Sequence, residues 1–198
     1  MNVKEFLLNL IGSFFILLSI SAVLYSIYFR KLYQIFWMCY ICLGLIGIGI
    51  LKRDSYLVTA QINILFIPMI IWNIDFFYFA FFQKPLWRIT DYYFLNQQSI
   101  SRFITLQHFY TIPLAIFALI LINSERTNSW KLSFAEGSLI FFLTRLFVSN
   151  YKSLNINCAF YPCVFHNIFP FKIYALIWFS VLFLMCFISN KIINQILL

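Results

Sequence analysis

The sequence predicts an all-α bundle of six transmembrane helices with both termini on one side of the membrane. Three observations carry that expectation. Of the 198 residues, 63% are hydrophobic and only 10% charged, against about 25% charged in a soluble domain. The apolar residues form long continuous runs, where a transmembrane barrel would alternate apolar and polar positions over segments of about 10 residues. The basic residues Arg30, Lys31, Lys52, Arg53, Lys84 and Arg88 fall between those runs, where cationic side chains reach lipid headgroups.

Six segments match the span length of about 20 residues. They are Phe6–Phe29, Ile35–Leu51, Tyr56–Phe82, Phe103–Ile122, Leu132–Ser149 and Phe171–Ser189. The first is too long for a signal-peptide core and lacks a small-residue cleavage site, so it reads as a retained helix. The six fill residues 1–198 as one domain, without repeat, linker or low-complexity block. Two connections are longer than the rest. Gln83–Arg102 carries Trp87, Tyr92 and Tyr93, which fit an interfacial aromatic belt, and Asn150–Pro170 carries Cys158 and Cys163.

Side A denotes the face reached by the termini, and side B the opposite face. Lys and Arg total 14 against six Asp and Glu. Six of the basic residues fall on side A and seven on side B, a balance that leaves orientation open under the positive-inside rule. The positive charge belongs to headgroup anchoring rather than to nucleic acid.

Ionisable groups within lipid are expensive and usually mark a site. Cys39, Asp75, His108 and Arg145 stand on four different segments. Each falls roughly 6–11 Å below side B at 1.5 Å per helical residue. The Asn155–Cys163 stretch would close over them. Gln61, Asn63 and Glu136 form a lesser polar group toward side A. A structural reading stands beside the functional one. Asp75 and Arg145 could be a buried ion pair that fixes helix register, Cys39 a small buried hydrophobe, and His108 a helix contact. Cys158 and Cys163 could be bridged if side B is oxidising, or remain free thiols. Gly44, Gly47 and Gly49 read as positions of close helix approach.

The sequence has no nucleophile elbow, P-loop lysine motif or zinc-protease helix, and its acids are too scattered for a carboxylate metal cluster. With two histidines, His108 and His166, no zinc site forms without other ligands. No cofactor and no metal is expected. Three functions remain. In the first, Cys39 attacks an acyl carbonyl, His108 moves the proton, Asp75 orients the imidazole, and Arg145, Asn157 and Tyr161 bind substrate. The partner would then be membrane lipid. In the second, Asp75 and His108 form the polar site of a small-solute transporter or binding subunit. The third is a structural membrane protein.

The run His108, Phe109, Tyr110, Thr111, Ile112, Pro113, with Glu125, Arg126 and Thr127 beyond the same segment, resembles the androgen-induced family of intramembrane fatty-ester hydrolases. Phe160, Tyr161 and Pro162 echo that family's aromatic stretch before its last helix. The resemblance implies six spans, a histidine on the fourth helix and a threonine nucleophile at the start of the second. Here the nucleophile's position falls near Cys39, in Trp37–Cys42. A more distant group of six-span lipid acyltransferases is similar and uses cysteine there. Asp75 has no counterpart in either.

Overall fold

A computed structural model describes residues 2–95, 99–123, 128–148, 155–163 and 173–197. The architecture is all-α. Helix α1 (Val3–Tyr28) starts where the Asn2 side chain accepts the Lys4 N–H. A 3-10 turn (Leu32–Phe36) leads into α2 (Met38–Lys52). Arg53, at φ 58°, ends α2, and the Asp54 carboxylate caps α3 (Ser55–Phe82) by accepting the Leu57 N–H at 2.9 Å. The reversal is therefore very tight, and Arg53 reaches back to Glu5 and Asn9 on α1.

Two short helices follow, α4 (Asp91–Leu95) and α5 (Ser99–Thr105). Then come α6 (Gln107–Ile122), α7 (Trp130–Phe147) and α8 (Tyr174–Ile196). Helix α3 is the hub and packs against α2, α6, α7 and α8, while α1 packs along α2. The core between them is aliphatic, with Leu43, Ile46, Ile62, Leu119 and Ile193 fully buried.

Four helical stretches are long and apolar enough to cross a membrane: Val3–Tyr28, Ser55–Phe82, Ser99–Ile122 and Tyr174–Ile196. The chain is a multi-pass integral membrane protein. The other two expected spans fall short of the same standard. Helix α2 has 15 residues, about 22 Å at 1.5 Å per residue, against a hydrocarbon thickness of about 30 Å. Helix α7 has 18 residues but carries Lys131, Glu136 and Arg145.

Element boundaries moved for local reasons. The expected second segment began at Ile35, yet α2 begins at Met38 because the chain before it winds as a 3-10 turn. The expected last segment stopped at Ser189, yet α8 continues to Ile196. Asn190 can sit inside the bundle because its carbonyl oxygen accepts from Ser129 Oγ at 2.6 Å and Asn63 Nδ2 at 3.2 Å. The expected loop Gln83–Arg102 contains α4 and the start of α5. His166 and Glu125, Arg126 and Thr127 lie outside the described residues, as do parts of Asn150–Pro170.

Close helix approach is real at Gly47. A Cβ there would lie 2.8 Å from the Gly12 carbonyl oxygen and 2.9 Å from the Ile16 nitrogen, both backbone atoms of α1. Gly44 would meet only the Ser19 side chain, at 3.0 Å. Gly47→Ala is therefore expected to wedge α1 from α2 at a cost of about 1–3 kcal/mol. Gly44→Ala should stay near wild type. Thermal unfolding of the two purified variants checks this; equal midpoints would contradict it.

Candidate functional site

Two helix starts carry the expected thiol and imidazole. Cys39 is the second residue of α2 and His108 the second residue of α6. Cys39 lies nearer its helix end than the expected five residues, because a break at Trp37 precedes α2; His108 follows a break at Leu106 but stands inside the Ser99–Ile122 stretch. The start of α2 turns its positive dipole end toward this region, with the Met38 N–H taken by Asn157 and the Tyr40 N–H by the Trp37 carbonyl.

The half-buried Cys39 sulfur lies against the Gln107 side-chain amide and within reach of the backbone N–H groups of Cys39 and Tyr40. Gln107 is fully buried, and its amide nitrogen and oxygen make no other hydrogen bond. A buried amide left without a partner is unusual and calls for an explanation. The Tyr92 hydroxyl, brought in by α4, faces the same thiol. It accepts from Trp72 Nε1 at 3.0 Å and meets the Thr105 side chain. Burial pushes the Tyr92 phenol well above its ordinary value, so it stays a neutral hydroxyl.

His108 Nδ1 lies 2.7 Å from the Thr105 carbonyl oxygen. A carbonyl only accepts, so Nδ1 carries the proton and Nε2 keeps its lone pair. The ring stacks on Trp72, centroids 4.4 Å apart and planes 18° from parallel. The Gln107 side chain meets the thiol, and His108 is next in sequence.

Asp75 is fully buried, but its partners differ from those expected. One carboxylate oxygen accepts the Trp87 N–H at 2.7 Å. The other accepts the Thr90 N–H at 2.9 Å and the Thr90 hydroxyl at 2.7 Å. Asp75 therefore fastens the chain between α3 and α4 instead of holding the imidazole, whose Nδ1 is taken by Thr105. It forms no ion pair with Arg145. Among the described residues the ion pair present is Arg53 with Glu5. Asn73, the other expected partner, donates to the His108 carbonyl at 3.0 Å.

Arg145 is half-buried over the rings of Phe141 at 5.1 Å and Phe160 at 5.9 Å, which belong to one aromatic cluster. Asn157 spends its side chain on the scaffold. Its oxygen accepts the Met38 N–H at 2.9 Å, and its nitrogen donates to the Phe36 carbonyl at 2.6 Å and to Thr144 Oγ1 at 3.1 Å. Tyr161 is held at its backbone, by the Asn155 side chain. Cys158 and Cys163 are bridged, with Cα atoms 5.4 Å apart. The sites therefore group as Cys39, Gln107, His108 and Tyr92 on one side and Arg145 with the bridged loop on the other, Asp75 being a fastening between helices. Among the described residues no cluster of three or more His, Cys, Asp or Glu is arranged to hold a metal.

Gln107 and Tyr92 did not stand out in the sequence. An uncharged amide inside an apolar segment, beside the only described histidine, is the signal that would have found Gln107. Tyr92 reads as one more interfacial aromatic until α4 turns it inward.

Fold and site together define a multi-pass membrane protein with a thiol, an imidazole and a buried amide at the starts of α2 and α6. No protein-family model, curated protein or solved structure matches the chain.

Proposed function

We propose that the protein is an intramembrane lipid-ester hydrolase or acyltransferase that crosses the membrane six times, with α2 and α7 as the two additional crossings. The observation that carries this is the Cys39–Gln107 contact: a nucleophile beside a buried amide whose N–H has no other acceptor. An oxyanion hole before substrate arrives has this form, with donors fixed in place and nothing yet to bind.

The chemistry follows from those atoms. Cys39 sulfur attacks the acyl carbonyl carbon, and its proton goes to His108 Nε2. The carbonyl oxygen becomes an oxyanion, which accepts from Gln107 Nε2 and the Tyr92 hydroxyl. Collapse expels the alkoxide, which takes the proton from His108 and leaves a thioester on Cys39. Water or a second alcohol then attacks the thioester, with His108 as base again. Cys39 and His108 are not in contact without substrate; catalytic hydrogen bonds commonly tighten only in the complex.

Position supports a lipid substrate. An ester near the headgroup boundary suits the start of α2, where Cys39 stands. A shallow, open groove along the outer face of α3 is lined by Ile70, Asn73, Ile74, Phe77 and Phe81. Its Asn73 is the residue that holds the His108 carbonyl, so an acyl chain lying in the groove would end beside the site. Arg145 offers a cation to a headgroup phosphate. The likeness of His108–Pro113 to the androgen-induced family points the same way, with cysteine in place of that family's threonine. The transporter alternative loses its main support, because all three donors at Asp75 are local.

The test is labelling of the detergent-purified protein with a lipid-like acyl electrophile, located by peptide mass spectrometry. Modification at Cys39 is expected, lost in Cys39→Ala and retained in Cys42→Ala. Label confined to another residue, or equal labelling of Cys39→Ala, would remove the proposal.

A further inference from the structure

We propose that Glu136 and Gln61 form a proton-binding site inside the helix bundle. The Glu136 carboxylate, on α7, accepts from Gln61 Nε2, on α3, at 2.6 Å. Gln61 is fully buried and Glu136 half-buried. Gln61 follows Ser55, the start of α3, by the same interval as Glu136 follows Trp130, the start of α7. Both therefore stand about 9 Å along their helices at 1.5 Å per residue.

The contact is built into the packing of α3 on α7. Ser133, three residues before Glu136 on the same helix face, donates to the Ala60 carbonyl at 2.8 Å, and Ala60 adjoins Gln61. Asn63 Nδ2 donates to Ser129 Oγ at 3.0 Å and to Ser133 Oγ at 3.2 Å. These side-chain hydrogen bonds set the register of the two helices, and with it the amide opposite the carboxylate.

Two observations point to a proton as the ligand. The first is that no cation pairs with Glu136 among the described residues, where the ion pair present is Arg53 with Glu5. The titratable groups facing Glu136 are the thiols of Cys42 on α2 and Cys186 on α8. Lys131 of α7 and Lys191 of α8 stand over the rings of Trp130 and Phe187. A carboxylate among apolar helices needs a cation or sheds its charge by taking a proton. The second observation is Gln61 Oε1, which is buried without a donor. Such an orphan calls for an explanation. Nε2 of the same amide is spent on one Glu136 oxygen. A proton on the other oxygen is the donor that Oε1 lacks, so acid and amide share two hydrogen bonds in one ring. The ionised pair keeps one hydrogen bond and leaves Oε1 orphaned. Uptake balances with water alone: hydronium gives its proton to the carboxylate, leaving a neutral acid and a water molecule.

This goes beyond the lipid reaction and uses none of its residues, so failure of one reading leaves the other standing. The experiment has two readouts on the full-length protein in detergent. Dicyclohexylcarbodiimide, an apolar reagent that converts protonated carboxyls to acylureas, is expected to label Glu136 at neutral pH and to leave the exposed Glu5 unlabelled, as read by peptide mass spectrometry. Sodium in place of choline at equal ionic strength should not change that labelling. In pH-difference infrared spectra a carboxylic acid carbonyl band should grow on acidification and be lost in Glu136→Gln. In Gln61→Leu the band should move to higher frequency, because the acid carbonyl loses its hydrogen bond from Nε2. Glu136 unlabelled in wild type, or an acid band unaltered in both variants, would overturn the proposal. Protection from labelling by sodium would also overturn it, by making this a metal-cation site.

Discussion

Asp75→Ala is expected to destabilise the protein by about 3–5 kcal/mol, the range for leaving the partners of a buried charge unpaired. The substitution strands three donors at once: the Trp87 N–H, the Thr90 N–H and the Thr90 hydroxyl. All three face a buried position where water does not replace the carboxylate. Asp75→Asn should cost less, roughly 1.5–3 kcal/mol, the value of one hydrogen bond to a charged group. The amide oxygen can still accept from Trp87, but its NH2 would face the Thr90 N–H, donor against donor. Thermal unfolding of purified protein reads the order wild type, Asn, Ala. Hydrogen exchange should localise the loss to the stretch between Phe82 and Asp91. Asp75→Ala at wild-type stability would show that the carboxylate does not fasten this segment. Because the fastening leads into α4, both variants should also lose lipid turnover through displacement of Tyr92. Asp75 is thus a positioning residue, and turnover should return where Tyr92 is held by other means, for example when lipid packing restores the fold at low temperature.

Asp75 marks the boundary between what is legible in the sequence and what is not. Composition and run length are summed over 20 residues at a time, so they give the membrane class and the approximate helices. The cost of burying a carboxylate is also legible, and it correctly marks Asp75 as partnered. The identity of the partner is not legible, because backbone N–H groups occur at nearly every residue and only the fold decides which two meet an acceptor. Arg145 and His108 looked like natural partners because charge and titration are visible in a residue name. The local breaks before Cys39 and His108 are not legible for a similar reason. An apolar run does not reveal that the chain before Met38 winds as a 3-10 turn, or that α5 breaks from α6 at Leu106. The cysteine pair in the loop could be left only as an alternative, since bridging needs the Cα separation that the turn at Asn155–Cys158 sets. Asn157 looks free to bind substrate because a polar side chain in a loop has many possible uses; in the fold its amide is consumed by Met38, Phe36 and Thr144.

Gln107→Leu should lower lipid turnover by about 10²–10³-fold, the measured scale for removing one oxyanion-hole donor, while leaving the protein at least as stable as wild type. The two halves of this expectation rest on one observation. Gln107 is fully buried, and apart from the Cys39 thiol its amide has no partner. A purely structural glutamine would be hydrogen-bonded to the scaffold, and its loss would strand another group. Here leucine of similar size removes an unsatisfied amide from an apolar setting, which is neutral or favourable. Turnover behaves differently because Gln107 Nε2 is asked to stabilise charge that exists only as the acyl carbonyl becomes an oxyanion. The loss should therefore appear in kcat, with KM for a lipid ester little changed. His108→Ala is the comparison. It should abolish turnover as well, but it also removes the ring stacked on Trp72 and the hydrogen bond to Thr105, so its midpoint should fall. Activity and stability are thus expected to separate at Gln107 and to fall together at His108. A Gln107→Leu protein with full turnover would leave Cys39 without its proposed oxyanion donor. One with low turnover and an equally lowered midpoint would make Gln107 a packing residue.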